Sequence, residues 1–313
     1  MSFGIFKRAV KEAASPVKQV AETPATLSDM MKAIKQLPSL SETVIRAMAL
    51  ANDENYRFKE LVDVMKRDGA MTSLMLKVAN SVVYGSTKPV ETVDQAVIRI
   101  GMIQCNRLIT TVGMKGALKP KNPDVANRIN ILWRHSLLTG FVATHLNAKL
   151  GLGFTGQEYT GALLHDIGRI VFLLTNEKMA KRVDPLTFRE SPDILARERE
   201  MIGTDHCELG MEYSLRQNLP ANLTQVIRYH HIPLGADINN RTLTDLVCAA
   251  DHLTNYALSE RRVSDYDFKS NPSFKRLLEK QSPDFVEAFP NCIVRVIKAA
   301  TKETREALRV SDF

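Results

Sequence analysis

The chain has 313 residues, 44% of them hydrophobic and 6% aromatic, which excludes a disordered polymer and a minimal single core and predicts one large or two smaller lobes. Its formal charge of +7 is spread along the sequence, with no long basic run interleaved with aromatics, so a nucleic-acid partner is disfavoured and a solvated basic surface is the default. No apolar stretch approaches the roughly 18 residues of a bilayer span, and no signal-peptide pattern opens the chain, so a cytoplasmic protein is expected.

Residues 4–21 place Ile5, Phe6, Ala9, Val10, Ala13, Val17 and Val20 near one stripe, with Lys7, Arg8, Lys11 and Lys18 elsewhere. That spacing predicts a basic amphipathic helix interrupted at Pro16. Such a helix either docks on its own protein or serves as an arm for another signalling protein or a peripheral membrane surface. Residues 22–27 read as a linker, which sets residues 1–27 apart from the main body.

Residues 28–118 show a series of short helical patterns punctuated by Pro38, the polar segment 52–55, Gly69, Gly85 and Pro89. Leu61, Val62, Val64 and Met65 form one apolar face. Leu74, Leu76, Val78 and Ala79 form the next, and Val97, Ile98, Ile100, Ile103 and Leu108 carry the pattern on to Met114. Few segments alternate as strands do, so an all-α chain with an N-terminal helical lobe is predicted. Residues 119–124, rich in Pro, Lys and Asn, mark the boundary to a second helical lobe over 119–258. Residues 259–313 comprise a polar, turn-rich tail over 261–283 and a terminal helix over 285–308 that is expected to pack back on the body.

Cys105, Cys207, Cys248 and Cys292 form no CxxC pair and lie in apolar periodic stretches, so they read as reduced core thiols. His165 and Asp166 interrupt an apolar helix whose start Thr155 and Glu158 mark at capping-box spacing. Alone, this pair fits a core imidazole with its tautomer fixed by a carboxylate as well as it fits a ligand pair. His135, beside Leu132 and Trp133, and Asp251, beside Leu246, Val247, Ala250 and Leu253, add two more ligand types on apolar helices. Imidazoles and carboxylates gathered from different helices suit a borderline divalent metal such as Fe, Mn or Zn. His206, capped by Asp205, and His230-His231, at a helix end before Pro233, are positioned for a second such site.

The series Leu132-Trp133-Arg134-His135-Ser136, Ala162-Leu163-Leu164-His165-Asp166-Ile167-Gly168-Arg169, His206 with Gly210, Leu219-Pro220, His230-His231 with Pro233, and Ala250-Asp251 resembles the HDOD family. Leu37-Pro38, Ala79-Asn80-Ser81 and Val93-Asp94 through Gly101 resemble the opening segments of the same modules. The likeness spans about residues 28–258.

The resemblance implies a multi-helix HD-type bundle related to the HD phosphohydrolases and HD-GYP cyclic-dinucleotide phosphodiesterases. It also implies a bacterial signalling role that is mostly non-enzymatic and works by protein–protein interaction. HDOD modules often lose metal ligands, whereas this chain keeps His135, His165, Asp166, His206, His230, His231 and Asp251. In the enzymes' arrangement Asp166 would bridge two metals, with His135, His165 and Asp251 on one and His206, His230 and His231 on the other, and the chain would hydrolyse a phosphoester through a metal-activated water. The chain departs from the HD-GYP enzymes in two ways. No Gly-Tyr-Pro segment follows His231, and Arg169, which in the hydrolase arrangement could act beside Asp166 to steady the phosphate, stands where the enzymes place a phosphate-contacting Lys, keeping the charge with a larger planar head, so the substrate geometry does not carry over.

Overall fold

The computed structural model describes residues 27–51, 58–81, 84, 88–120, 122–184, 186, 193–259 and 261–310. The amphipathic pattern at 4–21, the segment 52–55 and Gly85 lie outside the described residues. Among the described residues every regular element is helical, as the apolar spacing predicts.

The first half comprises α1 (Leu27–Gln36), α2 (Glu42–Ala51), α3 (Phe58–Lys66), α4 (Gly69–Ala79), α5 (Val93–Ile100) and α6 (Met102–Ala117). Helices α2 to α6 pack on one another. Asn80 holds this layer together at the end of α4, since its side chain donates to Val90 O at 2.8 Å and accepts from Val90 N at 2.7 Å, closing the connection to α5. A capping box formed by Thr92 and Gln95 then starts α5. α1 is placed differently: it packs on two helices of the second half, α9 and α12. The chain after it is fastened to the same half, because Leu40 N donates to Gln217 Oε1 at 2.8 Å.

The second half comprises α7 (Pro123–Leu150), α8 (Gln157–Leu164), α9 (Ile167–Thr175), α10 (Glu177–Val183), α11 (Ile194–Ile202), α12 (His206–Arg216), α13 (Ala221–Tyr229), α14 (Arg241–Leu258), α15 (Pro272–Leu278) and α16 (Pro283–Val310). Asn122 caps α7 by accepting from Asp124 N, and Pro123 fits its first turn because no helical N–H is needed there. α7 is the axis of this half: α8, α14 and α16 all pack against it, and its buried residues face several directions rather than one stripe. α16 packs there with Ile293, Val296, Ile297 and Ala300 buried on one face at spacings of three and four, while Phe289 meets the rings of Phe268 and Phe274. Each large apolar side chain so buried contributes roughly 1.5–3 kcal/mol. The terminal helix therefore does pack back on the body.

Candidate metal centre

Four helices and one interhelical break supply the polar residues. His135 projects from the middle of α7 and Asp251 from α14; His206 opens α12, and His230 and His231 follow the end of α13. His165 and Asp166 are not inside one continuous helix, as the sequence suggested, but form the two-residue break between α8 and α9. The capping box expected at Thr155 and Glu158 is also absent. α8 starts at Gly156, and Glu158 is buried, accepting from Gly156 N at 2.8 Å and pairing with Arg107. Asp166 takes φ −95° and ψ 14° without capping α9 through its side chain, which leaves the carboxylate turned into the centre.

The position of His206 depends on a close crossing of α9 over α12. A Cβ on Gly168 would lie 1.7 Å from His206 O and 2.8 Å from Gly210 N. Only two glycines allow the backbones to come this near. The Ile167-Gly168-Arg169 and His206-to-Gly210 spacings are thus the two halves of one contact.

Asp166 stands between two pairs of histidines. Its Oδ2 is 3.6 Å from His165 Nε2 and 3.9 Å from His135 Nε2, and its Oδ1 is 3.5 Å from His206 Nε2 and 3.7 Å from His230 Nε2. Asp251 Oδ1 is 2.9 Å from His135 Nε2 and 3.2 Å from His165 Nε2. The His231 ring centre is 4.3 Å from that of His230 and 5.1 Å from that of His206. All seven residues chosen from the sequence therefore converge. His231 is half-buried, but His135, His165, His206 and His230 are at most 1% exposed and Asp166 and Asp251 at most 5%.

Charge balance explains how such a cluster is tolerated. Burial would raise the Asp166 carboxyl, but Arg169, His165 and His206 overcome it and hold the group well below the usual carboxylate range. Burial likewise opposes ionisation of Asp251, and His165 and His135 reverse it. His206 has burial against its charge, yet Cys207 and Glu198 hold its pKa well above the ordinary imidazole value. His165 is raised more modestly, because Asp166 and Asp251 outweigh burial. Burial and the neighbouring His231 keep His230 neutral, and burial with His206 lowers His231 to about 4.

The hydrogen bonds fit a divalent metal. His165 donates Nδ1–H to Ala162 O at 2.7 Å, His206 to Glu198 Oε2 at 2.7 Å, and His230 to Ile227 O at 3.0 Å. In each ring Nε2 is thereby left facing Asp166, the tautomer and orientation that metal-binding imidazoles are given by their outer partners. Two groups have their ligand atoms mutually within 4.8 Å: His135, His165 and Asp166, and His206, Cys207, His230 and His231.

Cys207 and Glu198 were not singled out by sequence. Cys207 Sγ lies 3.5 Å from His206 Nε2, and adjacency to His206 was the available signal. Glu198 sits in the charged stretch of α11 and is buried, which nothing in its sequence neighbourhood indicates. Asp184 was also unforeseen. It takes Arg169 Nε and Nη2 at 2.9 Å each, while Arg169 Nη1 donates to Asp166 Oδ2 at 2.6 Å. Arg169, which could steady a phosphate in the hydrolase arrangement, thus has its guanidinium held between two carboxylates.

A family model for the HDOD domain matches residues 37–233, well over half of the chain. The chain belongs to the HDOD family. Among solved structures, this HDOD chain is similar to an HDOD domain protein of unknown function from Geobacter sulfurreducens, with 21% identity, a TM-score of 0.64, and coverage of 88% of this chain and 98% of that one. It is similar also to a provisionally named phosphohydrolase from Shewanella amazonensis, with 17% identity, the same TM-score, and coverage of 91% and 97%. At these identities the likeness shows the all-helical fold alone. An uncharacterized protein of Treponema pallidum (strain Nichols) is 25% identical over 214 residues, which is 68% of this chain. The HDOD chain spans 40% of the length of that curated relative.

Proposed function

We propose that this HDOD chain is a signal-transduction module that works mainly through contact with another protein, and that its HD-like half carries a divalent-metal centre serving as the core of the fold. The observation that carries this reading is the sealing of the centre: six of the seven candidate ligands are at most 5% exposed, and Arg169 is committed to Asp166 and Asp184. An esterase site needs an open coordination position and a cationic group left for the phosphate. The metal would be held by His135, His165, Asp166 and Asp251 on one side and by His206, His230 and His231 on the other. When bound it would supply Lewis acidity and charge neutralisation. The chain's own contribution is to orient each Nε2 through Ala162, Glu198 and Ile227, and to exclude water. The surface next to the centre supports the interaction role, because Ile232, Leu234 and Ile238, directly after His231, are 52–71% exposed. No described helix is long and apolar enough to cross a membrane.

Metal-dependent phosphohydrolysis is the second reading, favoured by the placement of Asp166 between two histidine pairs. Elemental analysis of untagged protein and of His165→Ala and Asp166→Ala, with phosphodiester and phosphomonoester hydrolysis measured on the same samples, decides between them. The module reading expects metal that both substitutions remove, with no turnover in the parent. Turnover lost in parallel with the metal would establish the hydrolase instead. Deleting residues 4–21 should abolish recruitment of a partner while leaving the melting of the body unchanged; unaltered recruitment would remove that segment from the reading.

A further inference from the structure

Away from the histidine centre, a cleft of about 150 Å³ lies where α6 of the first half meets α7, α8 and the terminal helix α16. A cavity of that size accommodates a molecule about as large as benzene. Its walls divide by chemistry. Val78, Leu108, Leu137 and Phe141 form an apolar side. Arg107 lies at another side, nine-tenths buried. Glu303, Glu306 and Ala307 share one face of α16 and line the third.

Arg107 is held rigidly without being used up. Its guanidinium lies over the Tyr159 ring at 4.9 Å, and both of its hydrogen bonds among the described residues are made by Nη2, to Thr144 Oγ1 at 3.0 Å and Glu158 Oε1 at 3.3 Å. Among the described residues Nε is buried without a hydrogen-bond partner and Nη1 makes no bond, so Nη1 is the donor left for a ligand. A guanidinium paired with Glu158 through Nη2 can take a second carboxylate on Nη1, as Arg169 does between Asp166 and Asp184. Across the cleft, Glu303 gives one oxygen to His145 at 2.8 Å, and Glu306 lies 4.0 Å from Lys302, its ion-pair partner among the described residues. Arg107, Tyr159 and Glu303 line the same cleft, which places the two opposite charges around one space. A simple anion would meet two carboxylates here, and a simple cation would meet the guanidinium.

We propose that this cleft binds a small apolar α-amino acid, with its carboxylate on Arg107, its ammonium on Glu303 and Glu306, and its side chain against Val78, Leu108, Leu137 and Phe141. The ligand would join α6, α7 and α16, three helices from widely separated parts of the chain, and would give the module an input independent of the metal centre.

Isothermal titration calorimetry on the full chain tests this with leucine, with 4-methylpentanoate, which lacks the amine, and with 3-methylbutylamine, which lacks the carboxylate. Leucine is expected to bind saturably, and each truncated analogue to bind roughly tenfold more weakly or worse, since each leaves a charged partner unmatched. Ala307→Trp, which fills the cleft from α16, should abolish leucine binding. Glu306→Gln, which keeps the side-chain shape at a half-buried position, should weaken it several-fold; both variants should retain the parental helical circular dichroism. Absence of binding by leucine, isoleucine, methionine and phenylalanine up to about 10 mM overturns the proposal. So does equal binding of either truncated analogue, or unchanged binding in both variants.

Discussion

Replacing Gly168 with Ala probes the crossing on which the histidine centre depends. The new methyl would sit 1.7 Å from His206 O, whereas ordinary contact begins at 3.4 Å, so α9 and α12 would have to part by about 1.7 Å. The obstructing atoms are backbone, and no rotamer change relieves them. Overpacking of this kind costs about 1–3 kcal/mol or more, and the helix-propensity gain of Ala over Gly, about 1 kcal/mol, offsets only part of a severe backbone clash. A net loss of about 2 kcal/mol would lower the thermal midpoint by roughly 3 °C in a chain of this size. The same displacement draws His206 Nε2 from Asp166 Oδ1, now 3.5 Å apart, and should reduce divalent-metal affinity by about 10–100-fold. Melting followed by circular dichroism and competitive metal titration measure the two effects. Gly116→Ala is the matched control: its Cβ would meet nothing within 4 Å, so the midpoint should hold or rise. If Gly168→Ala melts with the parent and binds metal at parental affinity, the crossing does not set the site.

Arg169→Met should be among the most damaging substitutions, since it strands Asp166 and Asp184 in a buried place; a loss of about 3–5 kcal/mol is expected in denaturant unfolding. Glu198→Gln keeps the shape but removes the charge on His206 Nδ1, and metal titration should show affinity reduced about 10–100-fold with the fold intact. For the metal-free chain, the depressed carboxyls of Asp166, Asp251 and Glu198 contribute stability that is present above the unfolded value of about 4 and is lost as pH falls toward their folded values. The raised His206 acts oppositely, its contribution being complete below about 6.5 and lost as pH rises through its folded value. Thermal midpoints from pH 3 to 9 should therefore pass through a maximum, and His206→Gln should lessen the decline on the alkaline side, with the raised His165 supplying what remains.

The ligand types were legible because polar residues are costly on apolar helices, so His135, His165, Asp166 and Asp251 announced themselves by interrupting them. Helical class was legible for a related reason, the three-and-four spacing visible in α3 and α16. What escaped was whatever depended on contact between distant segments. Glu198 has the look of a solvated charge in α11 and acquires its meaning only when His206 arrives beside it. Asp184 follows α10 without local distinction and becomes the partner that fixes Arg169. The helix break at His165-Asp166 was hidden because an apolar run on both sides reads as one helix, whereas the turn is what points the carboxylate inward. Arg107 carried no signal at all, since its importance lies in the donors it leaves unfilled.

The family match covers residues 37–233, yet α1 ends at Gln36, and Asp251 and α16 come after residue 233. Cutting the chain at the limits of the match would strip Met30 and Ile34 from α9 and α12, remove the carboxylate that joins His135 to His165, and uncover the α7 surface on which α16 packs. The segment matched by the family model is thus smaller than the body that packs as one core, and transplanting the module into another protein requires carrying its flanks along with it.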